Sequence, residues 1–291
     1  MAFKARKTRE RKTETLAEGK QLIASAPIRE QYERAIKSLV WAMYEDYRTE
    51  LERLLTTPET KEHFAEDGVG KSFGRFFKRM WAKWEDSFSV KAGEVATKFA
   101  IKVGKHSFTT VNASLKALGV QAPKDIPTQE FADTVETYVQ HNVSLITRMG
   151  QEMHDKIEKV VWNSLTAPEG TEKGAYGIYN AVKDIAGMTA KRAELIAADQ
   201  NSKLYSVLND ARMQQNGIEK FRWVHSGAGK VPRQCHQDWD GEIFLLMGGP
   251  NELYREDGTQ VTPGGNVGKN DIGKPGFPIR CKCRAVAVIS L

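Results

Sequence analysis

Residues 221–227 read FRWVHSG, and there the periodicity of the chain changes. Upstream, apolar residues recur every three or four positions, the spacing of an amphipathic helix. From Phe221 onward they alternate. FRWVHS (221–226) predicts a strand, EIFLL (242–246) a second, and AVAVIS (285–290) a third with the best β-propensity in the chain. Between the second and third, residues 248–279 hold eight Gly and four Pro, the composition of a long flexible loop. The expected fold class is α+β, predominantly α: long helices followed by a small C-terminal antiparallel β element with a long Gly/Pro-rich loop.

The helical part reads as follows. Tyr32, Ile36, Leu39, Met43, Tyr47, Leu51 and Leu54 share one face of a helix from Gln31, with Pro27 ahead of it and Thr56-Thr57-Pro58 closing it. Phe73, Phe77, Met80, Trp84 and Phe88 predict a second helix from Ser72, continuing to about Leu118 although Gly93 and Gly104 each cost about 1 kcal/mol against Ala. GVQAPKDIPT (119–128) is a linker candidate and places a boundary. A third helix runs over 128–165, with Thr128 as cap. Asn142 interrupts its apolar stripe and reads as a satisfied core amide, while His141 and His154 lie off the seam as surface or boundary residues. After the turn APEGTEKGAYG (167–177), a short helix ends at Gly187, and another is capped by Thr189 and closed by Gly217. The organisation expected is a basic, disordered arm (1–27), a helical N-terminal region (28–125) and a module over 126–291, with helices in 128–216 and a β element in 221–291.

With 291 residues, 40% hydrophobic, the chain can bury a real core. No run of ~18 apolar residues occurs, and the N-terminus has charge without an apolar stretch behind it, so neither a membrane span nor a secretory signal is expected. Three cysteines are too few for a disulfide scaffold and fit synthesis in the cytosol. The net charge of +6 is concentrated at the start, where Lys4, Arg6, Lys7, Arg9, Arg11 and Lys12 face one acid, Glu10. Such a segment is either a solvated tail or an arm for phosphates or an acidic partner. It has no interleaved aromatics for base stacking.

All three cysteines fall in the last sixty residues, beside His236. Cys235, His236, Cys281 and Cys283 are candidate metal ligands, because zinc prefers thiolate and imidazole donors in a tetrahedron. A Cys-x-Cys on a strand puts both sulfurs on one face. Cys235 and His236 are adjacent, however, and would point apart on a strand, so a four-ligand site needs a turn there or a carboxylate such as Asp238 or Asp240. The alternatives are buried thiols with a hydrogen-bonded histidine, or a disulfide from Cys235 to one of the pair. Catalysis by His236 with Asp238 or Asp240 lacks a completing nucleophile or acid, and Asp240-Gly241 is simpler as a turn. The glycines of 248–276 show no phosphate-loop order.

Four blocks, taken in order, resemble the Mu F-like minor head (head-morphogenesis) proteins of tailed bacteriophages. They are HNVSLITRMGQEMHDKIEKVV (141–161), KRAELIAADQNSKLYSVLNDARMQQNGIEKFRW (191–223), RQCHQDWDGEIF (233–244) and PGFPIRCKCRA (275–285). The resemblance covers 126–291. Ile196-Ala197-Ala198-Asp199-Gln200 departs from the family's Ile-Ala-Arg-Thr-Glu run, Lys282 stands where Arg is common, and Cys235 is an addition. The resemblance implies a structural, non-enzymatic minor capsid protein of the virion head, made in the host bacterial cytoplasm. It implies action near the portal in head assembly and genome packaging or ejection. The portal protein and major capsid protein are then the partners, packaged double-stranded DNA is a further contact, and no membrane is involved at assembly. A structural zinc in the Cys/His cluster is compatible with it. Some relatives carry toxin domains after this module, and the stop at Leu291 predicts that none is attached here. Two other classes stay open: a zinc-dependent DNA-processing enzyme centred on His236, and a DNA-binding module.

Overall fold

Four long helices carry most of the chain in the computed structural model, which describes residues 16–56, 67–121, 129–166, 175–227 and 232–290. They are α1 (Ala26–Leu55), α2 (Asp67–Ala117), α3 (Gln129–Thr166) and α4 (Ala175–Gln215). The fold is α+β and mostly α, as the periodicity predicts. Ser25 caps α1 by accepting from the Ile28 amide at 3.4 Å, and Pro27 sits in the first turn, where no amide is missed. α2 runs unbroken through Gly93 and Gly104. Its buried Phe73, Phe77, Met80, Phe88 and Phe99 supply packing worth more than the lost propensity.

α4 is longer than expected. Gly187 does not end a helix, and Thr189 caps nothing; its hydroxyl donates to the Ile185 carbonyl one turn back, at 2.8 Å. Gly217 does close α4, with φ 72°, in the left-handed region where glycine is favoured.

Helices from both sides of residues 119–128 share one core. α1 packs along α4, and α2 along α3. The Tyr32 hydroxyl on α1 donates to Asn142 Oδ1 on α3 at 2.6 Å, and Asn142 Nδ2 donates to the Tyr138 carbonyl at 2.7 Å. Asn142 is thus the satisfied core amide its position suggested. Among the described residues, the buried side chains of α1 and α2 belong to the same cluster as those of α3 and α4. His154 is a correction: it is buried, not a boundary residue. It hydrogen-bonds Tyr47 through Nδ1 and packs among Phe77, Trp81 and Tyr47. Burial holds its pKa below the ordinary value, against the pull of Glu158, 3.6 Å from Nε2, and of Asp155.

The sheet has five antiparallel strands in the order β1-β5-β2-β3-β4, made of β1 (Leu16–Gln21), β2 (Lys220–Val224), β3 (Ile243–Leu245), β4 (Tyr254–Arg255) and β5 (Arg284–Ser290). The three expected strands are β2, β3 and β5. β1 lies within the arm expected to be disordered, so that reading is corrected over 16–21. Without β1, the apolar strand β5 would be an unpaired edge; β1 supplies the missing partner, pairing Leu16 with Ser290 and Glu18 with Val288. LAEGKQ has no strong strand propensity of its own, and its ladder is supplied by residues more than 260 positions away. Arg222 on β2 bonds Glu18 across β5, 2.7 Å from Nε. Lys4, Arg6, Lys7, Arg9, Arg11 and Lys12 lie outside the described residues, as does Thr128.

Gly19 lets β1 rest on α2. A Cβ there would overlap the Ser114 side chain and sit 3.1 Å from the Ser114 carbonyl. Gly19→Ala should therefore lift β1 and cost about 1–3 kcal/mol, read as a lower urea midpoint. The neutral, buried His154 makes a second prediction. Its folded pKa is below the unfolded 6.5, so its contribution is complete above pH 6.5 and is lost as pH falls towards the folded value. Urea unfolding between pH 7.5 and 5.5 should show stability falling with acidity, less steeply in His154→Gln; equal slopes would refute this.

Candidate metal centre

β2 and β5 are neighbours in the sheet, so Trp223 stands beside the strand that follows Cys283. After β2 the chain returns through a short helix, α5 (Gln234–Asp238), which is why Cys235 and His236 are not on opposite faces of a strand. The Asp-Gly turn behaves as expected: Asp240 Oδ1 accepts from the His225 amide at 2.8 Å, and Gly241 adopts φ 83°. Trp223, Trp239 and Phe244 pack edge to face, and His236 lies against both indoles, stacked on Trp239 at 5.2 Å. This aromatic wall keeps the imidazole dry and holds its plane.

The ring's hydrogen bond fixes its proton. His236 Nε2 is 2.8 Å from the Asp271 backbone oxygen. A carbonyl only accepts, so Nε2 donates and Nδ1 is the ring nitrogen left for a metal. Nδ1 faces two sulfurs, Cys281 Sγ at 3.7 Å and Cys283 Sγ at 3.6 Å. All three donor atoms lie within 4.8 Å of one another, and all three residues are buried. Zinc bonds of about 2.3 Å to sulfur and 2.05 Å to nitrogen, opened to a tetrahedral angle, separate S and N by about 3.6 Å. Both sulfur–nitrogen distances match that value.

The sulfurs are also prepared. A backbone hydrogen bond from Gly276 helps the Cys281 thiolate, and one from Ser226 helps Cys283. Gly276 has φ 89°, and a Cβ there would lie 3.3 Å from the Ser202 carbonyl on α4, so this donor depends on glycine. The Trp223 indole nitrogen is buried without a close partner and directs its N–H towards Cys283. Cys283 donates to Cys281, which lowers the Cys281 pKa well below the thiol range; the same bond and burial raise that of Cys283.

Cys235 departs from the expectation. It is buried but lies outside the trio, and burial raises its thiol pKa. Its helical neighbour His236 takes the inward direction instead. All three cysteines are free thiols, so the disulfide alternative is not formed. Asp238 and Asp240 do not pair with His236. Asp238 accepts from Gln234 at 2.8 Å and from Asn266 at 2.7 Å, both structural bonds.

The residue missed in the sequence is Asp271. Its backbone oxygen takes His236, its Oδ1 takes Arg233 Nε at 2.5 Å, and its Oδ2 takes the Gly268 amide at 3.0 Å. Arg233 also donates to the Ile279 carbonyl at 2.7 Å, just ahead of the Cys-x-Cys. The loop over 248–279 is thus knit together, not open. It contains β4, bridges Tyr254–Gln260 and Gly264–Val267, and a 3₁₀ turn, Lys269–Asp271. Lys274 anchors it to α4, buried 3.5 Å from Asp210. Burial pushes the Asp210 carboxyl up to about 6, against the pull of Lys274.

No family model matches the chain, and no solved structure matches it. A curated protein of Haemophilus influenzae (strain ATCC 51907 / DSM 11121 / KW20 / Rd), described as "Uncharacterized protein", is 25% identical over 263 residues. The match takes in 89% of this chain and 52% of that protein, so the chain spans about half the length of its relative.

The geometry predicts that the trio, without Cys235, binds metal. The purified full chain should take up about one zinc. His236→Ala should lose it, and Cys235→Ser should retain it, by elemental analysis. Retention by His236→Ala would remove the imidazole from the site.

Proposed function

We propose that the protein is a minor capsid protein of a tailed-phage head, acting near the portal in head assembly and genome packaging or ejection, with a structural zinc in place of catalytic turnover. One observation carries the reading. The four blocks that resemble the Mu F-like proteins are far apart in sequence yet meet in one seam. Asn142 of the first reaches Gln200 of the second at 3.4 Å, and the Arg280 amide of the fourth donates to Asp199 at 3.1 Å. Trp223, closing the second, packs on His236 of the third, whose imidazole faces the cysteines of the fourth. Residues brought together by a fold resemble a family jointly when that fold is what they share. The departures at Asp199 and Gln200 lie in this seam and are both bonded.

Zinc fits the donor set. Two thiolates and an imidazole suit a borderline-soft ion, and its neutral His236 tautomer is already fixed by a backbone carbonyl. The ion would tie the turn at 234–238 to the chain before β5. That is a fastening role, and it needs no substrate.

The portal and major capsid proteins are the proposed partners, with packaged DNA meeting the basic residues 4–12. No helix among the described residues is long and apolar enough to cross a membrane. Mass spectrometry of purified particles should find the protein in the virion, and deleting its gene should give defective heads. Particles that lack it, together with normal heads in the deletion, would sink the reading. The DNA contact has its own test, and β1 sets the cut: truncation should stop at Thr15, leaving the strand intact. If the arm contacts phosphates, removing residues 1–15 flattens the dependence of DNA affinity on salt. An unchanged slope would place the contacts elsewhere.

A further inference from the structure

Three protein donors leave one vertex of a tetrahedron. Among the described residues no fourth Cys, His, Asp or Glu joins the trio, Asp210 and Cys235 included. Two of the three ligand residues border a large space. A cavity of about 1170 Å³ separates the start of α1, the 201–210 face of α4 and the segment 275–285. Cys281 and Cys283 form part of its wall, and His236 does not. The imidazole approaches from the far side, closed off by Trp223 and Trp239. An ion bound to all three would have aromatic packing behind its nitrogen ligand and would lie beside the cavity that Cys281 and Cys283 line. A water needs only about 30 Å³, so the space admits a larger ligand.

Charge selects the kind of ligand. Two thiolates and a neutral imidazole cancel a divalent cation, so the centre itself does not repel an anion. Around it, Arg280, Lys282 and Arg284 alternate with the cysteines, and all three line the cavity. Arg29 and Arg233 line it too, so five cationic side chains face three acids, Glu33, Glu194 and Asp210. The cationic side chains thus favour an incoming negative donor.

We propose that the metal keeps its fourth coordination position open to this cavity and takes an exogenous monodentate anion there, a carboxylate being the class intended. The proposal rests on the metal reading of the trio and is independent of the capsid role. Purely structural zinc is usually closed by four protein ligands; three protein ligands with an exchangeable fourth is the arrangement zinc adopts where it binds a further ligand, so the ion here would do more than fasten.

The full chain loaded with cobalt(II) provides the test, since visible bands of tetrahedral cobalt report its ligands. Azide, titrated at constant ionic strength, should shift the bands saturably, and acetate should compete. Lys282→Glu should weaken azide several-fold at unchanged cobalt stoichiometry. Cys235→Ser should leave the titration as it is. Cobalt that binds without responding to azide would overturn the open position, and a changed starting spectrum in Cys235→Ser would assign the vertex to Cys235. Failure to bind cobalt at all would overturn this proposal and the metal reading together. The particle analysis decides the capsid role separately.

Discussion

One hydrogen bond organises the C-terminal part of this protein: the donation from His236 Nε2 to the carbonyl of Asp271. It determines which nitrogen carries the proton, and so which nitrogen can face the sulfurs. The carbonyl is held in place by a chain of contacts. The Asp271 side chain is gripped by Arg233 and Gly268, and Arg233 also grips Ile279. The guanidinium thereby sets the loop carrying the acceptor and the approach of the cysteines in register with each other. The buried Lys274–Asp210 pair fastens the same loop to α4. A buried ion pair contributes little net stability after desolvation. Losing one partner would strand the other, so this contact determines where the loop lies more than how strongly the fold holds.

Much of this was legible in the chain. The stripe from Tyr32 to Leu51 and that from Phe73 to Phe88 are buried faces, because a 3.6-residue repeat of large apolar groups has few other uses. The switch to alternation at Phe221 marks β2 for the same kind of reason. The Cys-x-Cys and His236 converge, as metal-ligand chemistry suggests. What was not legible came from contacts without a local signature. β1 depends on a partner strand at the far end of the sequence. Gly187 reads as a stop, yet α4 continues because Ile178, Val182, Ile185, Ala190 and Ala193 bury a continuous face. His154 is off the main stripe but falls where Trp81 and Tyr47 close over it. Asp271 sits in a Gly-rich stretch where nothing distinguishes it from a surface turn residue. Cys235 looked equivalent to its neighbour until one helical step separated their directions.

The pairing of β1 with β5 also defines how the fold carries load. Leu16 lies opposite Ser290, so the incoming end of one strand meets the outgoing end of the other. A pull on the arm ahead of Leu16, directed away from the sheet, would load the ladder one pair at a time from that end, as a zipper opens. Antiparallel strands pulled apart this way yield at low force, because their hydrogen bonds never share the strain. The opening would travel past Glu18 to the irregular register before Gln21, then meet Leu22, whose amide bonds Ala285 two residues beyond Cys283. Tension on the arm would thus be spent in the soft edge strand before it reached the residues around the metal site.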